Sequence, residues 1–281
     1  MEKKEQQVWL ITGASSGFGK AFAEYAISKG YNVIVTARRT DKLETIRALA
    51  PDQVAAIRMD VTDNKEVASA LEQAIRRFGR IDVLINNAGY GIVGAVEETP
   101  DDELRAQMET NFYGAVNVIK AILPQLREQR SGAIVNISSL GGQLSFAGFG
   151  AYSASKFALE GISEALAPEL APFGIKVLIV EPGQFRTELA GAAMKHMPEI
   201  GAYKDTVGKT REFAKTMGGT QEGDPLKAAA AIEQALQSPT TPLRLQLGRD
   251  AVDAIRQHSE KLLEDLAGWE KVAVDTRLAG V

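Results

Sequence analysis

Tyr152 and Lys156 stand one helical turn apart, with Ser139 a short way upstream. Tyrosine and lysine at that spacing can share a helix face, which brings an ammonium near a phenol oxygen. A phenol is a poor acid near neutral pH, with a reference pKa of about 10. A neighbouring cation favours the phenolate and lowers that value. Such a tyrosine gives a proton to a developing alkoxide or takes one from an alcohol. The pair gains a context from Thr12-Gly13-Ala14-Ser15-Ser16-Gly17-Phe18-Gly19, at a strand-to-helix turn. There Gly13 suits the turn, Gly17 a close backbone approach to pyrophosphate, and Gly19 the contact of helix with sheet. Free N–H groups at the helix start would receive the phosphate charge. The missing Gly-Lys-Ser/Thr ending argues against a P-loop. Hydride transfer beside a proton donor is the chemistry these residues suggest.

The end of the second strand separates the two nicotinamide cofactors. An NAD site places a carboxylate there to hold the adenosine ribose. Here the residues are Ala37, Arg38 and Arg39. Guanidinium groups bind a 2′-phosphate through charge-assisted bonds, and a carboxylate would repel it. NADP(H) is therefore the expected cofactor, with Arg38 the leading contact and Arg39 the second.

The elements that must position these groups are short apolar runs alternating with helical stretches. Strands are expected at 8–12, 32–37, 54–59, 83–86, 133–137, 176–180 and 243–247. Helices are expected at 18–29, 41–49, 64–78, 104–127, 151–170 and 226–237, with Asp63 or Asn64 near the cap of the third. Strands this apolar, without alternation, favour a parallel sheet covered on both faces. The reading is α/β: a single-domain Rossmann fold, doubly wound, with a seven-stranded parallel sheet. Active-site residues should gather beyond the C-terminal strand ends. One catalytic domain is expected over 1–281, with a substrate-cover insertion at about 188–223 and a helical C-terminal extension at about 249–281. The cover is expected to form short helices over the cleft, and the tail to pack on the body or on a partner subunit.

Composition narrows the function classes. The chain has 281 residues, 45% of them hydrophobic and 24% charged, with a formal charge of -4. There is no basic block, so a nucleic-acid partner is not expected. Cysteine is missing and there are only two histidines, His196 and His258, which removes disulfides, thiolate chemistry and a histidine-rich metal site. Apolar runs are too short to span a bilayer. The opening Met1-Glu2-Lys3-Lys4-Glu5 leads into a strand and not into a signal-peptide apolar region. A cytoplasmic protein with no membrane association is expected.

These residues together resemble the classical short-chain dehydrogenase/reductase family. Thr12 to Gly19 is similar to its Thr-Gly-x-x-x-Gly-x-Gly motif. Asn86-Asn87-Ala88-Gly89 is similar to the motif that steadies the central sheet and lines the adenosine ribose. The resemblance implies that Asp60 and the N–H of Val61 meet the adenine. It implies that Asn87, Ala88 and Gly89 line the ribose, and that Pro182, Gly183, Phe185 and Thr187 lie beside the nicotinamide. It also implies a catalytic set of Asn111, Ser139, Tyr152 and Lys156, with Lys156 also holding ribose hydroxyls and Asn111 joining a proton relay to solvent. Ser15, Ser16 and Phe18 complete the expected cofactor loop. A homodimer or homotetramer built through the helices near 104–127 and 151–170 is implied as well. The long 191–219 region and the tail are similar to the 17β-hydroxysteroid dehydrogenase-like branch.

The expected reaction is hydride transfer between NADP(H) and a mostly apolar ketone or secondary alcohol. Tyr152 would act on the substrate oxygen and Ser139 would polarise it. Gly91, Ile92, Leu140, Gln143, Phe146, Phe149, Gln184 and Phe185 are the expected substrate walls, with Met194, Met197, Tyr203, Phe213 and Met217 from the cover. A 3-oxoacyl-thioester reductase, a hydroxysteroid dehydrogenase and a non-catalytic NADP(H) sensor are the alternatives. Rival structural roles also stand: Asp60 as a turn residue, Ser139 as a local cap, Asn111 as a helix-kinking packing residue. Lys176 and Glu181 are expected in packing or surface roles, and His196 at the surface.

Overall fold

The computed structural model describes residues 6–188 and 193–278. The expectations for residues 1–5, for 189–192 of the cover and for 279–281 of the tail lie outside the described residues. β1 (Val8–Thr12), β2 (Asn32–Ala37), β3 (Val54–Arg58), β4 (Val83–Asn86), β6 (Gly132–Ile137), β7 (Ile175–Pro182) and β9 (Arg244–Leu247) form one sheet of seven strands. Its order is β3-β2-β1-β4-β6-β7-β9 and every pairing is parallel. This is the doubly wound sheet read from the apolar runs. The strand order reverses between β1 and β4, so the crevice at their C-terminal ends is the natural ligand site of the topology.

Each face of the sheet carries its own core. On one face Trp9, Ile11, Val33, Val35 and Val135 pack beneath α1 (Gly17–Ser28), α2 (Asp41–Arg47) and α8 (Pro225–Gln237). On the other, Leu10, Ile34, Leu84, Ile134 and Val177 pack beneath α3 (Asn64–Phe78), α5 (Gly114–Gln129) and α6 (Gly150–Leu170). Alternate residues of one strand thus enter different cores, which is why the strands read as unbroken apolar runs. Asp63 is the cap of α3, accepting from the N–H groups of Lys65 and Glu66 at 2.8 and 3.2 Å.

The expected helix at 104–127 is more complex. α4 (Asp101–Met108) runs into a π-helical turn, Glu109–Tyr113, and then into α5. Such turns misalign the i→i−4 ladder and mark functional positions. A second small sheet, β5 (Gly91–Val93) paired parallel with β8 (Met194–His196), has no counterpart among the expected strands. Among the described residues, the segment expected as a cover thus holds a strand and, further on, α7 (Gly208–Thr216). α7 is clamped by a buried pair: Arg211 meets Glu98 at 2.6 Å, both almost fully inaccessible. Burial pushes the Glu98 carboxyl up, but bonds from the backbone N–H groups of Ala95 and Ile200 and from Arg211 bring it below the usual value.

The tail is a helix, α9 (Arg249–Val274), inside the extension expected at about 249–281. Only its first turns pack on the body, through Ala251 and Ile255.

Candidate active site

The glycine turn follows β1 and opens α1, as its spacing required. Gly13 has φ +64°, and a Cβ there would lie 2.7 Å from the Cα of Ala88. Gly17 has φ +53° and faces Thr187 at 3.4 Å from the same hypothetical atom. Thr12 locks the turn to the end of β4: its Oγ1 accepts from the N–H groups of Asn87 and Ala88, each at 3.0 Å. The Asn87 amide donates back to the carbonyls of Thr12 and Gly13. Asn87 is thus structural before it is anything else. Ser16 occupies the N-cap of α1 without capping it by its side chain. A helix start with uncapped N–H groups and glycine-lined walls fits a pyrophosphate.

Arg38 and Arg39 emerge exposed beyond β2. Among the described residues neither guanidinium has a carboxylate within ion-pair distance. Ala37 to Arg39 hold nothing acidic. Asp60, after β3, accepts from the N–H and the hydroxyl of Thr62 at 3.0 and 2.8 Å, so it makes the local turn that was its rival reading. Val61 beside it is buried.

Beyond β6, Ser139 starts a short 3₁₀ turn, Leu140–Gly142, and its Oγ accepts from the Gly141 N–H at 3.1 Å. The same hydroxyl lies close to Tyr152: a Cβ on Gly141 would meet Ser139 Oγ at 3.4 Å and the Tyr152 ring at 3.5 Å. Ser138, its neighbour, is turned the other way and donates to Glu160 at 2.7 Å. Tyr152 is half-buried in the first turn of α6, with Phe149 edge-on at 6.5 Å between centroids. Lys156, one turn on, is buried; its Nζ donates to the Ile137 carbonyl at 2.8 Å and lies 5.7 Å from the Tyr152 ring centroid. The three side chains expected to act together are brought together.

Their electrostatics correct one expectation. Burial pushes the Tyr152 phenol above its ordinary value, with the nearby Ser139 hydroxyl working the other way. A cation placed toward the ring and tied to a carbonyl does not overcome that desolvation. Lys156 is itself drawn down to about 8 by burial, with Glu160 pulling it back up. A phenol held above its usual range keeps its proton at neutral pH, which suits a donor better than a base.

Asn111 sits within the π-helical turn and is almost fully buried. Its amide donates to the Tyr90 carbonyl at 2.9 Å and to the Ser155 hydroxyl at 3.1 Å, while its Oδ1 accepts from the Tyr90 N–H. It ties α6 to the chain after Gly89, where a Cβ would come within 3.0 Å of that same Oδ1. At the far rim Pro182 ends β7. A Cβ on Gly183 would collide with the Asp250 carboxylate, which accepts the Gln184 N–H at 2.7 Å. Asp250 carries no motif of its own in the sequence.

The expected substrate walls separate into two groups. Leu140, Phe146, Phe149 and Met194 keep accessible surface near Tyr152 or on the adjoining rim, and Gly91 fits closely over the Met194 sulfur. Ile92 is sealed in a small core with Ala151 and Met197, so it can only support the wall from behind. Gln143 donates to Glu181 at 2.6 Å, inside a polar cluster. Phe185 packs on Phe18 at 5.1 Å between centroids and, partly buried, rests against the sheet core. Gln184 is exposed, and Tyr203 hydrogen-bonds Glu97. Phe213 is half exposed on α7.

Behind Ser139 lies a group that no local motif announces. Glu160 and Glu181 are buried and share Arg244, whose Nε lies 2.9 and 3.2 Å from them. Glu181 stands opposite Gln246 in the β7–β9 pairing. Burial raises Glu160 to about 7, helped by the Glu181 charge and opposed by the Ser138 and Arg244 bonds. Among the described residues no cluster suits a metal ion, and no helix is long and apolar enough to cross a membrane.

Fold and site together define a dinucleotide-dependent oxidoreductase, and comparison with known proteins gives the family. Residues 7–198 match the short chain dehydrogenase family, and the chain belongs to it. It is 40% identical over 269 residues to the oxidoreductase BOA17 of Botryotinia fuckeliana, covering 95% of this chain and 98% of that one. It is 42% identical over 248 residues to a 3-ketodihydrosphingosine reductase of Bacteroides thetaiotaomicron, covering 87% and 88%. A solved short-chain dehydrogenase from Streptomyces avermitilis superposes with a TM-score of 0.93 at 52% identity, over 98% of this chain and 100% of that one. Solved structures sharing 26 to 30% of their residues with the chain carry either NADH or an NADP-type cofactor. The chain is accordingly an oxidoreductase of the NAD(P)(H)-using kind.

Proposed function

We propose that the protein is an NADPH-preferring reductase of mostly apolar ketones, working in one Rossmann-type catalytic domain. The observation that carries this reading is the convergence of Ser139, Tyr152 and Lys156: Ser139 Oγ and the Tyr152 ring flank Gly141 at 3.4 and 3.5 Å from the same hypothetical Cβ, and the buried Lys156 Nζ lies 5.7 Å from the ring centroid. Bound NADPH would supply the hydride. Gly13, Ser15, Ser16, Gly17 and Gly19 would hold its pyrophosphate, Arg38 and Arg39 its 2′-phosphate, and Asn87, Ala88, Gly89 and Thr187 the remainder. Asp60 and Val61 would border the adenine.

Ser139 donates to the substrate oxygen and fixes its position. Tyr152 gives its proton to that oxygen as negative charge develops there. Lys156 stabilises the phenolate left behind, and its depressed pKa lets it exchange a proton near neutral pH. Asn111, through the irregular helix it occupies, steadies Lys156's side of α6. Reversal makes Tyr152 the base.

The apolar rim of Leu140, Phe146, Phe149 and Met194 favours a hydrophobic ketone over a phosphorylated one. The name of the Bacteroides relative, 3-ketodihydrosphingosine reductase, supports the same class. The 17β-hydroxysteroid dehydrogenase-like branch and 3-oxoacyl thioesters belong to the same proposal as narrower substrate readings. We place the enzyme in the cytoplasm as a homo-oligomer. A panel of steroid ketones, aryl ketones, 3-oxoacyl thioesters and long-chain keto amines, each offered with NADPH and NADH, tests the reading. Turnover of an apolar member faster with NADPH supports it. Tight NADPH binding with no turnover of any member would favour a cofactor sensor instead.

A further inference from the structure

α9 leaves the body after Ile255, and every residue from Ser259 to Val274 is exposed. A helix of that length is marginal in water without a partner. Gly268 in its interior weakens it further relative to alanine. Yet the exposed part is not polar all round. Leu262, Leu266 and Trp269 continue the line of Ile255 at the alternating spacing of a coiled-coil seam, with Leu263 beside it. These four residues are 55 to 69% exposed. With Val272 they present roughly 600 Å² of apolar surface per chain, so two copies would bury about 1,200 Å², the lower bound for a specific interface.

We propose that the outer part of α9 pairs antiparallel with the same segment of a second copy of this chain. The charge pattern carries the choice of occupant. An antiparallel seam that sets Leu262 of one copy against Leu266 of the other brings Leu263 to the two-fold axis. It also places Arg256 of each copy beside Glu270 of the other, so opposite charges meet at both ends of the seam. Asp265 then approaches its own counterpart, and Lys261 on the same helix, 2.8 Å away, compensates that repulsion. A membrane surface fits less well. The exposed segment carries Glu260, Glu264, Asp265 and Glu270 against Lys261 and Lys271, a net acidic balance that anionic lipid would repel. This surface is separate from the active site and from the helices near 104–127 and 151–170.

The test is the mass of the full chain in solution by sedimentation at tens of micromolar. The wild type is expected as a dimer or an even multiple. The Leu262→Ser, Leu266→Ser, Trp269→Ser variant is expected at half that mass, with the circular dichroism of a folded α/β body retained because the body does not touch these residues. Arg256→Glu should weaken the same association step about tenfold, and adding Glu270→Arg should restore it. A wild-type monomer, or a triple variant of undiminished mass, overturns the pairing. Failure of the charge reversal to rescue overturns the antiparallel register. Vesicles of phosphatidylcholine and phosphatidylglycerol provide the other arm: binding lost in the triple variant without change of mass would assign the stripe to lipid and refute the proposal. Mass does not depend on turnover, so the catalytic reading and this one fail independently.

Discussion

Replacing Glu160 by glutamine removes a buried charge and keeps one acceptor oxygen for Arg244, while the Ser138 hydroxyl can turn to accept from the new amide. Burial raises this carboxyl from 4.5 to about 7, with the Glu181 charge adding to it. The sign of the pH effect follows. Between those two values the folded protein holds a proton that the unfolded chain has released. The stability associated with Glu160 is therefore largest below pH 4.5 and is lost as pH rises through 7. At 1.36 kcal/mol for each pH unit, a displacement of this size is worth on the order of 3 kcal/mol, of which ~2 kcal/mol falls between pH 5 and 7.5. The glutamine side chain cannot titrate, so urea unfolding of both proteins at those two pH values should show the difference moving ~2 kcal/mol in favour of the Glu160→Gln variant. Lys156 and Glu164 on α6, Glu181 on β7 and Arg244 on β9 face the same cluster, and all are common to both proteins. Parallel stability curves would refute the assignment of a strained carboxyl behind Ser139. The substitution should also reach the active site. Without the Glu160 charge, Lys156 falls further below its present value of about 8. The alkaline limb of kcat/KM should then shift to lower pH.

Two further outcomes follow from the cofactor side. Arg38→Ala should raise KM for NADPH ~10- to 100-fold, the worth of a charge-assisted bond of about 1.5–3 kcal/mol, and leave NADH unaffected; equal effects on both cofactors would remove Arg38 from the 2′-phosphate. Thr12→Val keeps the shape but strands the N–H groups of Asn87 and Ala88. It should cost about 2–3 kcal/mol in urea unfolding and weaken both cofactors together.

How far the sequence could be read depended on the range of each interaction. Strands whose residues enter two different cores are apolar throughout, so β1 to β4 and β6, β7 and β9 stood out with only small boundary errors. The glycine turn was legible because backbone geometry at Gly13 and Gly17 leaves few other residue types possible. Three-residue strands such as Gly91–Val93 and Met194–His196 carry no period, and their pairing spans a hundred residues of chain, so the small sheet had no local signal. The π-helical turn at Glu109–Tyr113 is likewise invisible in a pattern that reads as ordinary helix. Glu160, Glu181 and Arg244 look like scattered surface charges until α6, β7 and β9 bring them together. Glu181 was expected in a packing or surface role and is fully buried at the heart of that cluster. Phe185, an aromatic beside the nicotinamide motif expected as a pocket wall, also packs on Phe18 and the sheet core, a long-range contact with no local signal.

The central claim is that Tyr152 delivers the proton and that Ser139 and Lys156 position and sustain it. Single-turnover reduction by the Tyr152→Phe protein, with NADPH pre-bound and its oxidation followed optically, addresses that claim most directly. The protein should bind NADPH as the wild type does but oxidise it at least ~100-fold more slowly, the usual share of a positioned acid. Oxidation at the wild-type rate, with binding unchanged, would contradict the account.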